Sequence, residues 1–265
     1  PVGAHPWAYA ASQPKYDIYP ILDQIFADFK RGGFDGVELM HTAFHPDGAA
    51  ERIAELSKQH GLPVLGTSFG GKLWDRAAHA EVMASAEKVI PRLAQVGGRT
   101  LGTSTGPKPG AKKTPEELDA QAELLRKIMK LGADHGVVLN LHNHTYEALD
   151  NEYEIRNMIE RLPDVKLGPD LNWLLRAGVE PLDFVRRHGR RVVFLHLRDQ
   201  AAGKWVEALG EGEFDYPALA RVLKETSFQG DAVVELAHER GHVFKRPMGE
   251  NFRLSREHIR KTMGI

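Results

Sequence analysis

Four side chains of metal-binding type close four successive apolar runs in the second half of the chain. They are His142 after Val137-Val-Leu-Asn-Leu, Asp170 after Lys166-Leu-Gly-Pro, His196 after Val192-Val-Phe-Leu, and Glu235 after Asp231-Ala-Val-Val. Two imidazoles and two carboxylates can hold one divalent ion and leave positions open for water or substrate oxygens. The 265 residues contain no cysteine, so thiolate sites, disulfides and Cys nucleophiles are excluded and any metal depends on His, Asp and Glu. Histidine, at 13, is the one compositional hint of chemistry. Each residue alone has a plainer reading: a strand-end histidine is often a structural hydrogen-bonding group, and a strand-end aspartate often caps the next helix. Recurrence at four consecutive strand ends favours a metal site. Zinc, manganese or cobalt suits two imidazole ligands better than magnesium.

For these residues to meet, the runs that carry them must lie side by side and parallel. Short β-rich apolar runs alternate with longer amphipathic stretches eight times, at a mean spacing of about 33 residues, the length of one βαβ repeat. The expected strands are 2–5, 36–39, 64–67, 100–103, 137–142, 166–170, 192–196 and 231–235. The expected helices are 18–31, 49–60, 77–96, 115–135, 153–161, 181–188, 216–226 and 251–263. Glycines stand between helix and strand at Gly32-Gly33, Gly61, Gly97-Gly98, Gly136, Gly189 and Gly230, as C-caps do. Thr114-Pro115-Glu116-Glu117 opens a helix with an N-cap, a first-turn proline and acids at the positive dipole end. No linker interrupts the series, so the expectation is an α/β fold, a single (β/α)8 TIM barrel domain over residues 1–265. An open doubly wound sheet would carry a phosphate loop. Gly66 to Lys72 has the glycine spacing, but Leu73 stands where Ser or Thr would ligate magnesium, so it reads as a glycine-rich barrel loop. Gly106 to Thr114 reads as an exposed basic loop.

In such barrels chemistry sits at the C-terminal ends of the strands. Alternation along the fifth strand turns Val137, Leu139 and Leu141 to the helices and Asn140, His142 and His144 inward. The seventh puts Phe194, His196 and Arg198 on one face, and the eighth Val233 and Glu235. Glu235 is the first candidate for a catalytic base and His144 for the second acid–base group, with a supporting His as the alternative for His144. Glu38, at the end of the second strand, is in reserve with His41 and Glu147. Arg198 and His41 could hold substrate oxygens; pairing of Arg198 with Asp199 or Glu235 is the structural alternative. Trp7, Trp74, Trp173 and Trp205 fall just beyond strand ends, and Trp7 and Trp173 are the candidates for packing on a sugar ring.

Phe34-Asp-Gly-Val-Glu38, Ala177-Gly-Val-Glu-Pro181, Phe194-Leu-His-Leu-Arg-Asp199, Leu209-Gly-Glu-Gly-Glu-Phe-Asp215 and Gly230-Asp-Ala-Val-Val-Glu235 together resemble the xylose isomerase-like barrel superfamily of sugar isomerases and epimerases, over essentially the whole chain. The resemblance implies a metal-dependent isomerase or epimerase that removes a proton beside a carbonyl of a keto or aldose sugar. The departure is at strand five, where the family's epimerases usually carry a glutamate ligand and this chain has His142-Asn143-His144, like a subgroup with that strand end. Only Glu235 then remains of the family's glutamate pair. That loss favours the alternative, a lyase or dehydratase eliminating a group β to a keto carbon.

Two other classes fit less well. Endonuclease IV-like repair needs further ligands, and Trp173 stands where a histidine would be expected; 35 Lys and Arg against 36 Asp and Glu also give no basic surface for nucleic acid. A non-catalytic sugar-binding barrel would lack the metal. At 42% hydrophobic and 27% charged residues the chain reads as soluble, with no apolar run long enough to span a bilayer, so no membrane partner is expected. The expected partner is a small carbohydrate, and a homo-oligomer is left open. The cytoplasm is the favoured compartment, although the chain starts at Pro1 and an export signal would have been removed.

Overall fold

Backbone pairing joins eight of the apolar runs into one parallel sheet, described by a computed structural model of residues 1–265. The strands are β1 (Val2–His5), β2 (Gly36–Met40), β3 (Val64–Gly70), β4 (Thr100–Ser104), β5 (Val138–Leu141), β6 (Lys166–Leu167), β7 (Phe194–Leu197) and, after a two-stranded hairpin β8 (Gln200–Ala201) and β9 (Lys204–Trp205), β10 (Asp231–Glu235). The order is β6-β5-β4-β3-β2-β1-β10-β7. The ring is nearly closed: β6 and β7 meet only through the parallel bridges Leu167 to Val192 and Asp170 to His196. This is the eight-stranded TIM barrel.

The helices are α1 (Trp7–Ala10), α2 (Leu22–Gly32), α3 (Ala49–His60), α4 (His79–Gln95), α5 (Pro115–Asp134), α6 (Thr145–Arg161), α7 (Leu171–Arg176), α8 (Pro181–His188), α9 (Tyr216–Glu225) and α10 (Met248–Met263). Their apolar stripes cover the sheet; α2 buries Leu22, Ile25, Phe26 and Phe29, the spacing of one helical face. Gly33 and Gly61 end α2 and α3 in the left-handed conformation, at φ 80° and 59°. Thr114 and Glu117 form a reciprocal capping box at the start of α5.

Several expected boundaries move for local reasons. The sixth strand stops at Leu167 because Pro169 has no N–H to give the ladder, and pairing resumes as the single bridge at Asp170. The fifth stops at Leu141, although His142 N still donates to Thr103 O at 3.0 Å. α6 begins eight residues earlier than the expected 153, as a first turn broken from the remainder by Leu149 to Glu152. The hairpin, α1 and α7 are additions within the loops that carry the site.

Two loop readings are corrected. Gly66 to Gly70 lies within β3 and is no phosphate loop: a Cβ on Gly66 would stand 2.0 Å from Thr100 Oγ1 and 2.5 Å from Thr100 O, so glycine lets β3 approach β4. The segment 106–114 is not wholly exposed either. Lys113 is buried, with Nζ 2.7 Å from Glu154 Oε1, 2.9 Å from Gln121 Oε1 and 3.0 Å from Thr105 Oγ1. Gly66→Ala should therefore destabilise the barrel by about 1–3 kcal/mol through overpacking, read as a lower urea midpoint; an unchanged midpoint would show that β3 and β4 can move apart freely.

Candidate metal centre

Strands β5, β6, β7 and β10 deliver His142, Asp170, His196 and Glu235 to one point, where one ligand atom from each lies within 4.8 Å of all the others. His142 Nδ1 faces His196 Nδ1 at 3.1 Å, and Glu235 Oε2 lies 3.0 Å from His196 Nδ1. Asp170, His196 and Glu235 are buried and His142 is partly so. Asp170 also does what a strand-end aspartate does by default: its Oδ1 accepts from Asn172 N and Trp173 N at the start of α7. The other oxygen, Oδ2, faces the cluster and is met there by Arg198.

The middle residue of the His-Asn-His segment holds the seam. Asn143 Oδ1 accepts from Asp170 N at 3.1 Å, while its Nδ2 donates to Asp170 O at 3.3 Å. One side chain thus fixes the backbone of the adjacent strand end on which Asp170 stands.

Arg198 crosses the two carboxylates, with Nε 2.5 Å from Asp170 Oδ2 and Nη2 2.6 Å from Glu235 Oε2, and it is buried. It pairs with Asp170 as well as Glu235, and not with Asp199. Asp199 instead accepts from the backbone N–H groups of Gly210, Gly212 and Phe214, pinning the loop that contains Leu209 to Asp215. Asn172 Nδ2 and Tyr216 Oη both donate to Arg198 O at 2.6 Å.

Glu38 sits beneath the cluster, fully buried, with Oε2 2.5 Å from His196 Nε2. It is placed to accept that N–H, which leaves Nδ1 of His196 facing His142 and Glu235. His144 lies on the solvent side, its ring 4.9 Å from that of His142. Its backbone N–H donates to Glu147 Oε2 at 2.6 Å, and that oxygen is 3.7 Å from its Nδ1. Trp173 meets Trp205 edge to face at 5.0 Å, and the Arg198 guanidinium carbon is 5.7 and 5.3 Å from the two rings. Trp7 packs on His238, three residues past Glu235. His41 packs on Phe69 and His45 and lines a cleft with Gly70, Gly71 and Lys72.

One neighbour escaped the sequence reading. His5 ends β1, with Nδ1 3.2 Å from Glu235 Oε1 and Nε2 3.1 Å from Ser68 Oγ. The signal was available, since it closes an apolar strand as the other four do, but the first strand is too short to show alternation.

The electrostatics suit cation binding. Burial, with His196 and His144 nearby, drives the His142 pKa well below its ordinary value, leaving a neutral imidazole. Burial works against the Glu235 carboxylate, yet Arg198, His196 and His5 outweigh it and hold the group ionised. At His196 burial is likewise overcome, here by Glu38 and Glu235, and the pKa is pushed up to about 10. For His144 the burial penalty is overcome by Glu147 and the pKa rises. Glu235 Oε2, despite its close neighbours, has no hydrogen bond of proper geometry, and Glu38 Oε1 and His144 Nδ1 have none. Two facing imidazole nitrogens beside an unsatisfied carboxylate oxygen are a donor set that a divalent cation completes.

The profile of the family described as "Xylose isomerase-like TIM barrel" matches residues 26–262. The rhizopine catabolism protein MocC of Rhizobium meliloti is 24% identical over 247 residues, covering 81% of this chain and 74% of that protein. The inosose dehydratase of Geobacillus thermodenitrificans is 24% identical over 172 residues, 57% of each chain. Among solved structures, the D-allulose 3-epimerase from Methylomonas sp. superposes with a TM-score of 0.80 at 15% identity, covering 98% of this chain and 97% of that one. The 3-keto-D-glucoside 4-epimerase from E. coli gives 0.74 at 18%, covering 98% of each.

The His196 shift fixes the sign of one pH dependence. Without a cation His196 is protonated up to pH about 10, whereas a metal ligand must be deprotonated, so binding releases one proton and the apparent affinity should rise about tenfold per pH unit below that value. Chelator competition between pH 6.5 and 8.5 measures this; a pH-independent affinity would contradict the arrangement.

Proposed function

The chain belongs to the xylose isomerase-like TIM barrel family, and from that premise we propose that it is a metal-dependent sugar isomerase or epimerase that takes a proton from the carbon beside a carbonyl. The observation that carries this reading is the convergence of His142, Asp170, His196 and Glu235, with an ionised Glu235 and with His144 beside His142 on the open side. A divalent ion held by the four residues would polarise the carbonyl and stabilise the negative charge that develops on its oxygen; the two imidazoles favour zinc, manganese or cobalt.

The residues divide the remaining work. Glu235, ionised through Arg198, His196 and His5, is the base that accepts the proton. His144, whose imidazolium form Glu147 favours, returns a proton to the substrate. Glu38 is reassigned from proton transfer to positioning: it is enclosed beneath His196 and fixes which nitrogen that ring presents. Arg198, engaged by Asp170 and Glu235, holds those carboxylates in place and offers its remaining N–H groups to a substrate oxygen. Trp173 and Trp205 form an aromatic wall over Arg198 suited to the C–H face of a sugar or cyclitol ring.

A second reading is elimination from a keto-sugar, keto-glycoside or keto-cyclitol. It is favoured by His142 on β5, which leaves one carboxylate base paired with one imidazole acid, and by the dehydratases among the relatives. In that case His144 protonates the leaving group.

Incubation of the metal-loaded protein with keto-sugars in deuterated water separates the two. Deuterium at the carbon beside the carbonyl, without loss of water or aglycone, supports isomerisation; release of either supports elimination; neither outcome, across neutral keto-sugars and inososes, removes both. His144→Gln should keep the metal stoichiometry and lower kcat by about 10²–10⁴-fold. An unchanged kcat would exclude His144 as the proton donor.

A further inference from the structure

At the end of the barrel opposite the metal cluster, the first residues of β4, β5, β6 and β10 surround a cleft of about 1140 Å³. Asn140 faces the barrel interior, against Gly102 and Gly168, so Val138 two residues earlier faces inward as well. Val138 is nonetheless 46% exposed, because the barrel is open at this end. Into this opening the sequence sends cations. Arg99 precedes β4, Lys166 opens β6, and Arg190 and Arg191 lead into β7; all four line the cleft.

None of the four has a carboxylate within ion-pair distance. The Arg99 guanidinium donates only to Gly98 O and that of Arg191 only to Pro163 O and Val165 O, while the side chains of Lys166 and Arg190 have no hydrogen-bond partner. The other two arginines of the run Arg186-Arg187-His188-Gly189-Arg190-Arg191 are neutralised, Arg186 by Glu225 and Asp183 and Arg187 by Glu152. Helix C-termini attract basic residues, and α8 and α9 both end here, but each carries only about half a negative charge. Together with Asp231 they leave a surplus of about two positive charges. The surplus is concave rather than spread on a flat face, and planar guanidinium forks match tetrahedral oxyanions in pairs.

We propose that this cleft is a binding site for a small phosphate-type polyanion, separate from the catalytic end and independent of the reaction assigned there. The ligand's oxygens are shared by Lys166 at the start of β6 and Arg190 just before the adjacent β7, with Arg99 and Arg191 as further lining cations. Because the substrate enters from the other end of the barrel, occupancy here leaves the catalytic site free.

The test uses the metal-loaded full chain and the trisulfonated fluorescent dye pyranine, a polyanion that coordinates divalent metals weakly. Fluorescence anisotropy should show saturable binding that weakens with salt and is displaced by inorganic phosphate. Lys166→Gln with Arg190→Gln should weaken it by about a hundredfold, since each of the two lost charge-assisted contacts is worth about tenfold. Lys58→Gln with Lys261→Gln, the same charge change on the exposed ends of α3 and α10, should leave it unchanged, and urea midpoints verify that both variants fold. Absence of saturable binding, equal weakening in the two double variants, or displacement by a short DNA duplex but not by phosphate would overturn the assignment.

Discussion

Buried charge is the constraint on which this barrel turns. Glu38, Asp170 and Glu235 place three carboxylates in its interior, and removing such groups from water without compensation costs more than most single interactions return. Arg198 answers two of them and His196 answers the third while reaching a second, so each acid has a cation within 2.5 to 3.0 Å. The balance is local and incomplete. Unsatisfied oxygens on Glu38 and Glu235 and the two facing imidazole nitrogens leave room for one more positive centre.

Much of the surrounding structure can be understood as support for that balance. Asn143 clamps the backbone of Asp170, Asn172 and Tyr216 hold the carbonyl of Arg198, and Asp199 gathers the backbone N–H groups of Gln200, Gly210, Gly212 and Phe214. A further buried network, Lys113 with Glu154, Gln121 and Thr105, ties the segment after β4 to α6, whose N-cap is His144 and whose first turn carries Glu147. Residues outside the four ligand-type side chains thereby set the positions of a cluster built from four separate strands.

In the proposed reaction, isomerisation and elimination share one first step. Once a proton beside a carbonyl is removed, the next event depends on which acid stands opposite and on what group is β to the carbonyl. An imidazole at position 142 and another at position 144 make this rim less acidic than one built on a glutamate pair. The substrate and the acid, not the scaffold, then decide between returning a proton to carbon and expelling a group.

The barrel itself was legible from periodicity. Eight apolar runs about 33 residues apart allow little else, and caps such as Thr114 and Gly61 act within a few residues of where they are written. His142, Asp170, His196 and Glu235 could be singled out for the same reason: once strands are parallel, their last residues share one end. What the sequence could not contain was contact between residues remote along it. That Glu38 lies beneath His196, 158 positions away, that Arg198 spans Asp170 and Glu235 rather than pairing with adjacent Asp199, that Lys113 is buried, and that His5 joins the cluster were settled only when the strands closed into a ring. Local propensity is a property of neighbours in sequence, whereas the partner of a buried charge is whatever opposite charge the closed barrel brings within reach.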